Sequence, residues 1–136
     1  MRGVLCFTVV LVLALAVPAT GAVQPTGFAF GRLGGNIRPY TVTIANSGAV
    51  HISGAVAVGR KRVTAVQLAA LNRVATETSF TMLPATTSCS GSLPDIAATF
   101  VRVGARTVRV HGGCVPRYQR MLKALQASVR IQPQSS

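Results

Sequence analysis

Two stretches of alternating apolar and polar residues, each turned back on itself at a glycine and each followed by a helical stripe, limit the architectures open to this chain. In the first, Tyr40, Val42 and Ile44 alternate with Thr41 and Thr43, which puts the apolar set on one side of an extended strand. Asn46-Ser47-Gly48 reads as a hairpin turn with the glycine in the left-handed position, and Val50 and Ile52 form the return strand. Val56 and Val58 extend that strand beyond Gly54. In the second stretch, residues 95–103 and 106–111 flank Gly104-Ala105, a two-residue hairpin signal. Val108 and Val110 face one way there, and Thr107, Arg109 and His111 face the other.

Each hairpin leads into a helix. Thr64-x-x-Gln67 is a capping-box pattern, in which the hydroxyl and the amide satisfy backbone donors that the first helical turn leaves open. Leu68, Leu71 and Ala75, flanked by Val74, then make an apolar stripe, and the helix is expected to stop near Thr78. Phe80 and Leu83 point inward behind it. In the second helix Pro116 suits the first turn, and Tyr118, Leu122, Leu125 and Val129 share one face. Alternating Phe28 and Phe30 mark room for an extra strand, placed at the sheet edge. The predicted fold is α+β: an antiparallel sheet from two β-hairpins with two helices packed on one face, in ββαββα order.

The N-terminus reads as an export signal. Met1-Arg2-Gly3 is short and positive, residues 4–17 form an apolar run, Pro18 breaks it, and Ala19-Thr20-Gly21-Ala22 supplies small residues for cleavage. The run is too short to span a bilayer comfortably, and no stop-transfer pattern follows it. Residues 1–22 are therefore assigned to a signal peptide, 23–131 to a single domain and 132–136 to a flexible tail. The expected location is secreted, periplasmic or in the cell envelope. Cleavage removes Cys6 and leaves Cys89 and Cys114, an even pair that an oxidising compartment would join.

Cleavage also leaves thirteen Lys and Arg against Glu77 and Asp95, a net charge of +11. The cations fall into two candidate anion-binding clusters: Arg60, Lys61 and Arg62 in a loop, and Arg117, Arg120 and Lys123 on the last helix. Trp is absent and both Tyr fit core positions, so a nucleic-acid module, which pairs charge with exposed aromatics, is not expected. Solvation of an apolar exported domain is the simplest use of the charge, and an anionic surface is the partner class it suggests. With one Asp, one Glu and two His, the chain holds little for acid–base or nucleophilic catalysis. No metal-ligand spacing or phosphate loop is present, so neither enzyme activity nor a cofactor is expected. Asp95, after Pro94, either ends its loop by accepting backbone hydrogen bonds or faces a cation on a partner.

Leu33-Gly34-Gly35-Asn36, the helix closed by Phe80-x-x-Leu83-Pro84, and Pro94-Asp95 before the last hairpin together resemble the emfourin family, small protein inhibitors of thermolysin-like metalloproteases. The family pattern includes neither cysteine. The resemblance implies an extracellular protease as partner and carries over Gly34, Gly35 and Asp95 as matched, candidate partner-binding positions. It assigns no contact to any of the three.

Overall fold

The computed structural model describes residues 27–132, apart from Ile37, Pro94 and Ile96, so the proposed signal peptide and the last four residues lie outside the described part. The main sheet has six strands: β1 (Phe28–Leu33), β2 (Tyr40–Ile44), β3 (Val50–Gly54), β5 (Thr86–Ser88), β6 (Ala98–Val103) and β7 (Arg106–His111). Their order across the sheet is β3-β2-β1-β6-β7-β5. A two-stranded sheet pairs β4 (Ala57–Val58) with β8 (Ile131–Gln132). Helices α1 (Ala65–Glu77) and α2 (Pro116–Val129) complete the fold.

Both expected hairpins form, β2–β3 with Val42 opposite Ile52 and β6–β7 with Val101 opposite Val108. Gly48 takes φ 83°, and any side chain there would meet the Val63 carbonyl oxygen. Four features correct the expectation. The extra strand β1 is central, pairing with β2 on one side and β6 on the other, because Phe28 and Phe30 belong to the deepest part of the core. The sheet is mixed, since the short Thr86–Ser88 strand joins β7 in parallel. Val56 and Val58 do not prolong β3, because the chain turns after Gly54 and Val58 pairs with Ile131. The strand expected from Asp95 begins only at Ala98, and Asp95 stays in the preceding loop.

The core lies on one face of the sheet. Phe28, Phe30, Val42, Ile44, Val101, Val108 and Val110 are buried there, all on the same side by the two-residue strand period. The helices close over them unequally. Helix α2 buries Tyr118, Met121, Leu122, Leu125 and Val129, whereas α1 buries only Leu71 fully. The capping box of α1 is present: the Gln67 N–H donates to Thr64 Oγ1 at 3.2 Å and the Thr64 N–H donates to Gln67 Oε1 at 2.9 Å. Phe80 and Leu83 fill the space between α1 and the sheet at 0 % and 2 % exposure. No helix among the described residues is long and apolar enough to cross a membrane.

Candidate functional site

The strand directions gather loops at the two ends of the sheet. β1 runs toward the end where β2 and β6 begin and β3, β5 and β7 finish. Loops 34–39, 89–97 and 112–115 therefore emerge side by side. The opposite end carries the β2–β3 and β6–β7 turns and the basic segment 60–62.

At the first end, three restraints converge. Cys89 and Cys114 are joined by a disulfide with their Cα atoms 5.6 Å apart. The Cys89 N–H donates to the His111 carbonyl at 2.9 Å, which extends the β5–β7 ladder by one bond and fixes where the loop leaves the sheet. Ser92 Oγ and the Ser92 N–H then both donate to the Cys89 carbonyl, at 2.7 and 3.1 Å, and turn the chain. Gly112 sits at φ 91°, and a Cβ there would fall 2.8 Å from that of Cys89. Only glycine lets the two loops approach so closely.

The Gly34-Gly35 turn meets the same loop. Both glycines have positive φ, 69° and 73°. Nothing stands within 4 Å of a Cβ built on Gly34, but one built on Gly35 would lie 2.6 Å from the Ala97 nitrogen and 2.8 Å from the Asp95 carbonyl oxygen. The fold therefore brings together all three positions singled out by the family resemblance. Asp95 is exposed, and so is Leu93 at 64 %. Beside them the Arg32 guanidinium stands 6.0 Å from the centre of the Tyr40 ring, at the outer rim of this end.

The basic residues are used differently from what their spacing implies. Arg60 donates to the Ser128 carbonyl at 3.4 Å and its N–H donates to the Val129 carbonyl at 3.1 Å, tying the loop to the C-terminal end of α2. Arg62 donates to the Ser47 carbonyl at 3.1 Å across the β2–β3 turn. Arg117 donates to the Thr78 carbonyl at 3.4 Å, just past the end of α1, and Arg120 pairs with Glu77. Those two residues hold the helices together at their contact. Among the described residues, the side chains of Lys61 and Lys123 are exposed and make no hydrogen bond or ion pair, although the Lys61 carbonyl accepts from the Val50 N–H at 3.1 Å. Along the α2 axis, Arg117 lies about 16 Å and Lys123 about 8 Å from Ser128, where Arg60 is anchored.

Remaining groups with chemical potential are dispersed. His51 lies exposed on β3 opposite Thr43, and His111 lies on β7 opposite Ser88. Among the described residues there is no group of three or more His, Cys, Asp or Glu able to hold a metal ion. Tyr118 is buried, and that burial pushes its phenol up to about 12; the Thr99 hydroxyl, 2.9 Å from the phenol oxygen, pulls the other way because it can donate to the phenolate. Its place is at the interface of α2 and β6, inside the core, where it braces the fold.

The chain matches no family profile, no curated protein and no solved structure. The geometry is thus the ground on which function is argued. One element of the loop end went unread in the sequence: the contact of residue 35 with the 95–97 segment. The only local signal for it was a pair of glycines, which any tight turn also produces.

Proposed function

We propose that this chain is a small exported binding domain, without enzymatic activity of its own, that inhibits an extracellular metalloprotease of the thermolysin type through its disulfide-clamped loop end. The observation that carries this reading is the close approach of Gly35 to the Asp95 carbonyl beside the Cys89–Cys114 bridge. A protein inhibitor must offer a segment to a protease cleft while keeping it from relaxing into a cleavable, extended geometry. A loop fixed at Cys89, in contact with Gly35 at Asp95 and Ala97, and joined to the sheet at Ala98 is restrained at several points before binding. Leu93 supplies an exposed apolar side chain to bury, and the exposed Asp95 carboxylate supplies an anionic oxygen able to approach a cation in the partner's cleft. The joined cysteines suit an oxidising compartment, where such a protease would be met.

The test is a titration of thermolysin with the mature domain, residues 23–136, followed with a quenched peptide substrate. Activity is expected to fall linearly to a stoichiometric end point, and Asp95→Ala to weaken inhibition at least tenfold while leaving thermal unfolding in place. Full protease activity at a large molar excess of the folded domain would sink this reading.

A second reading rests on the charge. The mature chain carries +11, and the ammonium groups of Lys61 and Lys123 stay exposed without an ion pair among the described residues, so the domain suits attachment to an anionic envelope or extracellular polymer. Retention on heparin that falls steeply with salt and is lost on changing Arg60, Lys61 and Arg62 together to Ser would support it. Retention untouched by that change would remove it.

A further inference from the structure

The face of the sheet turned away from the helices contains a built depression. Its floor follows from the composition of the central strand. β1 directs Phe28 and Phe30 into the core, so the intervening Ala29 and Gly31 face outward, and neither can stand up from the sheet. Gly31 is required there. A Cβ on it would fall 2.0 Å from the Tyr40 carbonyl oxygen and 2.8 Å from Cε1 of Phe100, whose ring lies across the glycine from the neighbouring strand. An aromatic ring reaching across a glycine, next to a buried alanine, leaves an apolar basin.

The walls of that basin are polar and of one sign. Thr41 and Thr43 rise from β2 on one side, and Arg102 and Arg109 from β6 and β7 on the other, around a cleft of about 260 Å³. Phe100 pairs with Arg109, and Arg102 pairs with Thr107 and Ala29, so the two arginines are diagonal neighbours on adjacent strands. No acid lines the cleft. Within the mature chain the acids are Glu77, held by Arg120, and Asp95, in the loop beyond the sheet. The Nε of Arg102 is buried without a hydrogen-bond partner. Two guanidinium groups at one cleft, with no carboxylate supplied by their own chain, leave their charge to an incoming oxyanion.

We infer that this cleft is a binding site for a small molecule carrying a carboxylate on a compact apolar body, with Arg102 and Arg109 taking the carboxylate, the threonine hydroxyls bordering the site, and Ala29 and Phe100 packing under the apolar part. The planar fork of a guanidinium matches a carboxylate in two parallel hydrogen bonds. The volume lies just below the range of drug-sized sites, which sets the ligand at about the size of a phenylalkanoate. This site is separate from the loop end and does not depend on protease inhibition.

The experiment titrates the ¹⁵N-labelled mature domain with 3-phenylpropionate, with sodium acetate, inorganic phosphate and poly-glutamate as parallel arms. Saturable amide shifts at Thr41, Thr43 and Thr107 are expected, with half-saturation near ~1 mM for a ligand this small. Acetate and phosphate at the same concentrations are expected to produce less than a tenth of that occupancy. Arg102→Gln with Arg109→Gln is expected to weaken 3-phenylpropionate binding at least tenfold while the spectrum of the core residues stays dispersed. Should the double variant lose that dispersion, Thr41→Val with Thr43→Val, which leaves the arginines intact, takes its place and is expected to weaken binding about threefold. The proposal is overturned by any of three results: no saturable shift with 3-phenylpropionate, an equal response to acetate or phosphate, or binding that survives substitution of both arginines. Where the first of these comes with saturation by poly-glutamate, the face takes an acidic chain instead.

Discussion

The two ends of the sheet differ in one tie, a covalent one. At the loop end, chain meets chain through a covalent bridge and through glycines that allow backbone to touch backbone, with Arg32 set at the rim. At the basic end, segment 60–62 is held by backbone hydrogen bonds, from the Arg60 N–H to the Val129 carbonyl, from the Val50 N–H to the Lys61 carbonyl and through the Ala49–Arg62 bridge, and the Arg60 and Arg62 guanidinium groups add bonds to carbonyls on α2 and on the β2–β3 turn. Both ends tie backbone to backbone, but only the loop end adds a covalent cross-link, which holds even when its hydrogen bonds open. At the basic end the cationic side chains project from a segment whose backbone bonds do not depend on them. The first arrangement suits a surface that must keep its shape against a partner, and the second suits a charged surface.

This contrast predicts unequal responses to substitution. Changing both Cys89 and Cys114 to Ser opens a loop with a sequence separation of 25 and is expected to cost about 3–4 kcal/mol in urea denaturation. The amides of 89–97 should then exchange hydrogen much faster, with those of 60–62 unaffected. A loss below about 1 kcal/mol would mean that the loop end is held by packing, and the distinction between the ends would fall.

Gly35→Ala comes next. The left-handed backbone at this position costs a residue with a Cβ about 1–2 kcal/mol, before the added methyl is pushed against Ala97 and Asp95. Stability and inhibition are both expected to fall, whereas Gly34→Ala, with the same sign of φ but open space around it, should cost only the backbone part. Equal melting temperatures for the two variants would contradict the contact between residue 35 and the 95–97 segment.

A pH series examines the core between the ends. Burial raises the Tyr118 phenol from 10.0 to about 12, so above pH 10 the unfolded chain gives up this proton while the folded one keeps it. The stabilisation from keeping Tyr118 neutral is intact below pH 10 and is lost as pH climbs toward 12. Tyr118→Phe removes this dependence and costs about 0.5–1.5 kcal/mol at neutral pH through the lost bond to Thr99. Denaturation curves at pH 9 and 11 for the two proteins provide the comparison; identical slopes with pH would show that the phenol is accessible to water in the folded state.

The smallest effect belongs to the basic end. Replacing Arg60, Lys61 and Arg62 by Ser is expected to change stability by less than about 1 kcal/mol, because their bonds are long or solvent-exposed. The same change should markedly lower the salt concentration that elutes the domain from heparin. A larger loss of stability would make this loop as structural as the other.

Several of these features were readable directly. The β2–β3 turn at Gly48, the Thr64–Gln67 cap and the buried α2 stripe from Tyr118 to Val129 are all local, since each depends on residues within a few positions of one another. The pairing of Cys89 with Cys114 followed from arithmetic once Cys6 was assigned to a signal peptide. Other features could not be read this way. β5 is Thr-Thr-Ser, too short and too polar to show a period, and it exists because β7 offers a free edge. β8 is two residues long and forms only where the end of α2 delivers Ile131 to Val58. At the candidate sites, the arginines of α2 read as a free cluster by spacing, but Glu77 and the Thr78 carbonyl, distant in sequence, occupy two of them.

The amino-acid sequence by itself determined which residues turn inward, where the turns and caps fall and which cysteines are left to join, because periodicity, φ preference and composition act over a few residues at a time. Tertiary structure alone decided that β1 sits at the centre of a mixed sheet, that Gly35 touches the 95–97 segment and that Arg102 and Arg109 share one cleft. Strand neighbours are chosen across the hydrogen-bonding direction by how well the whole core closes, and no local pattern records that choice.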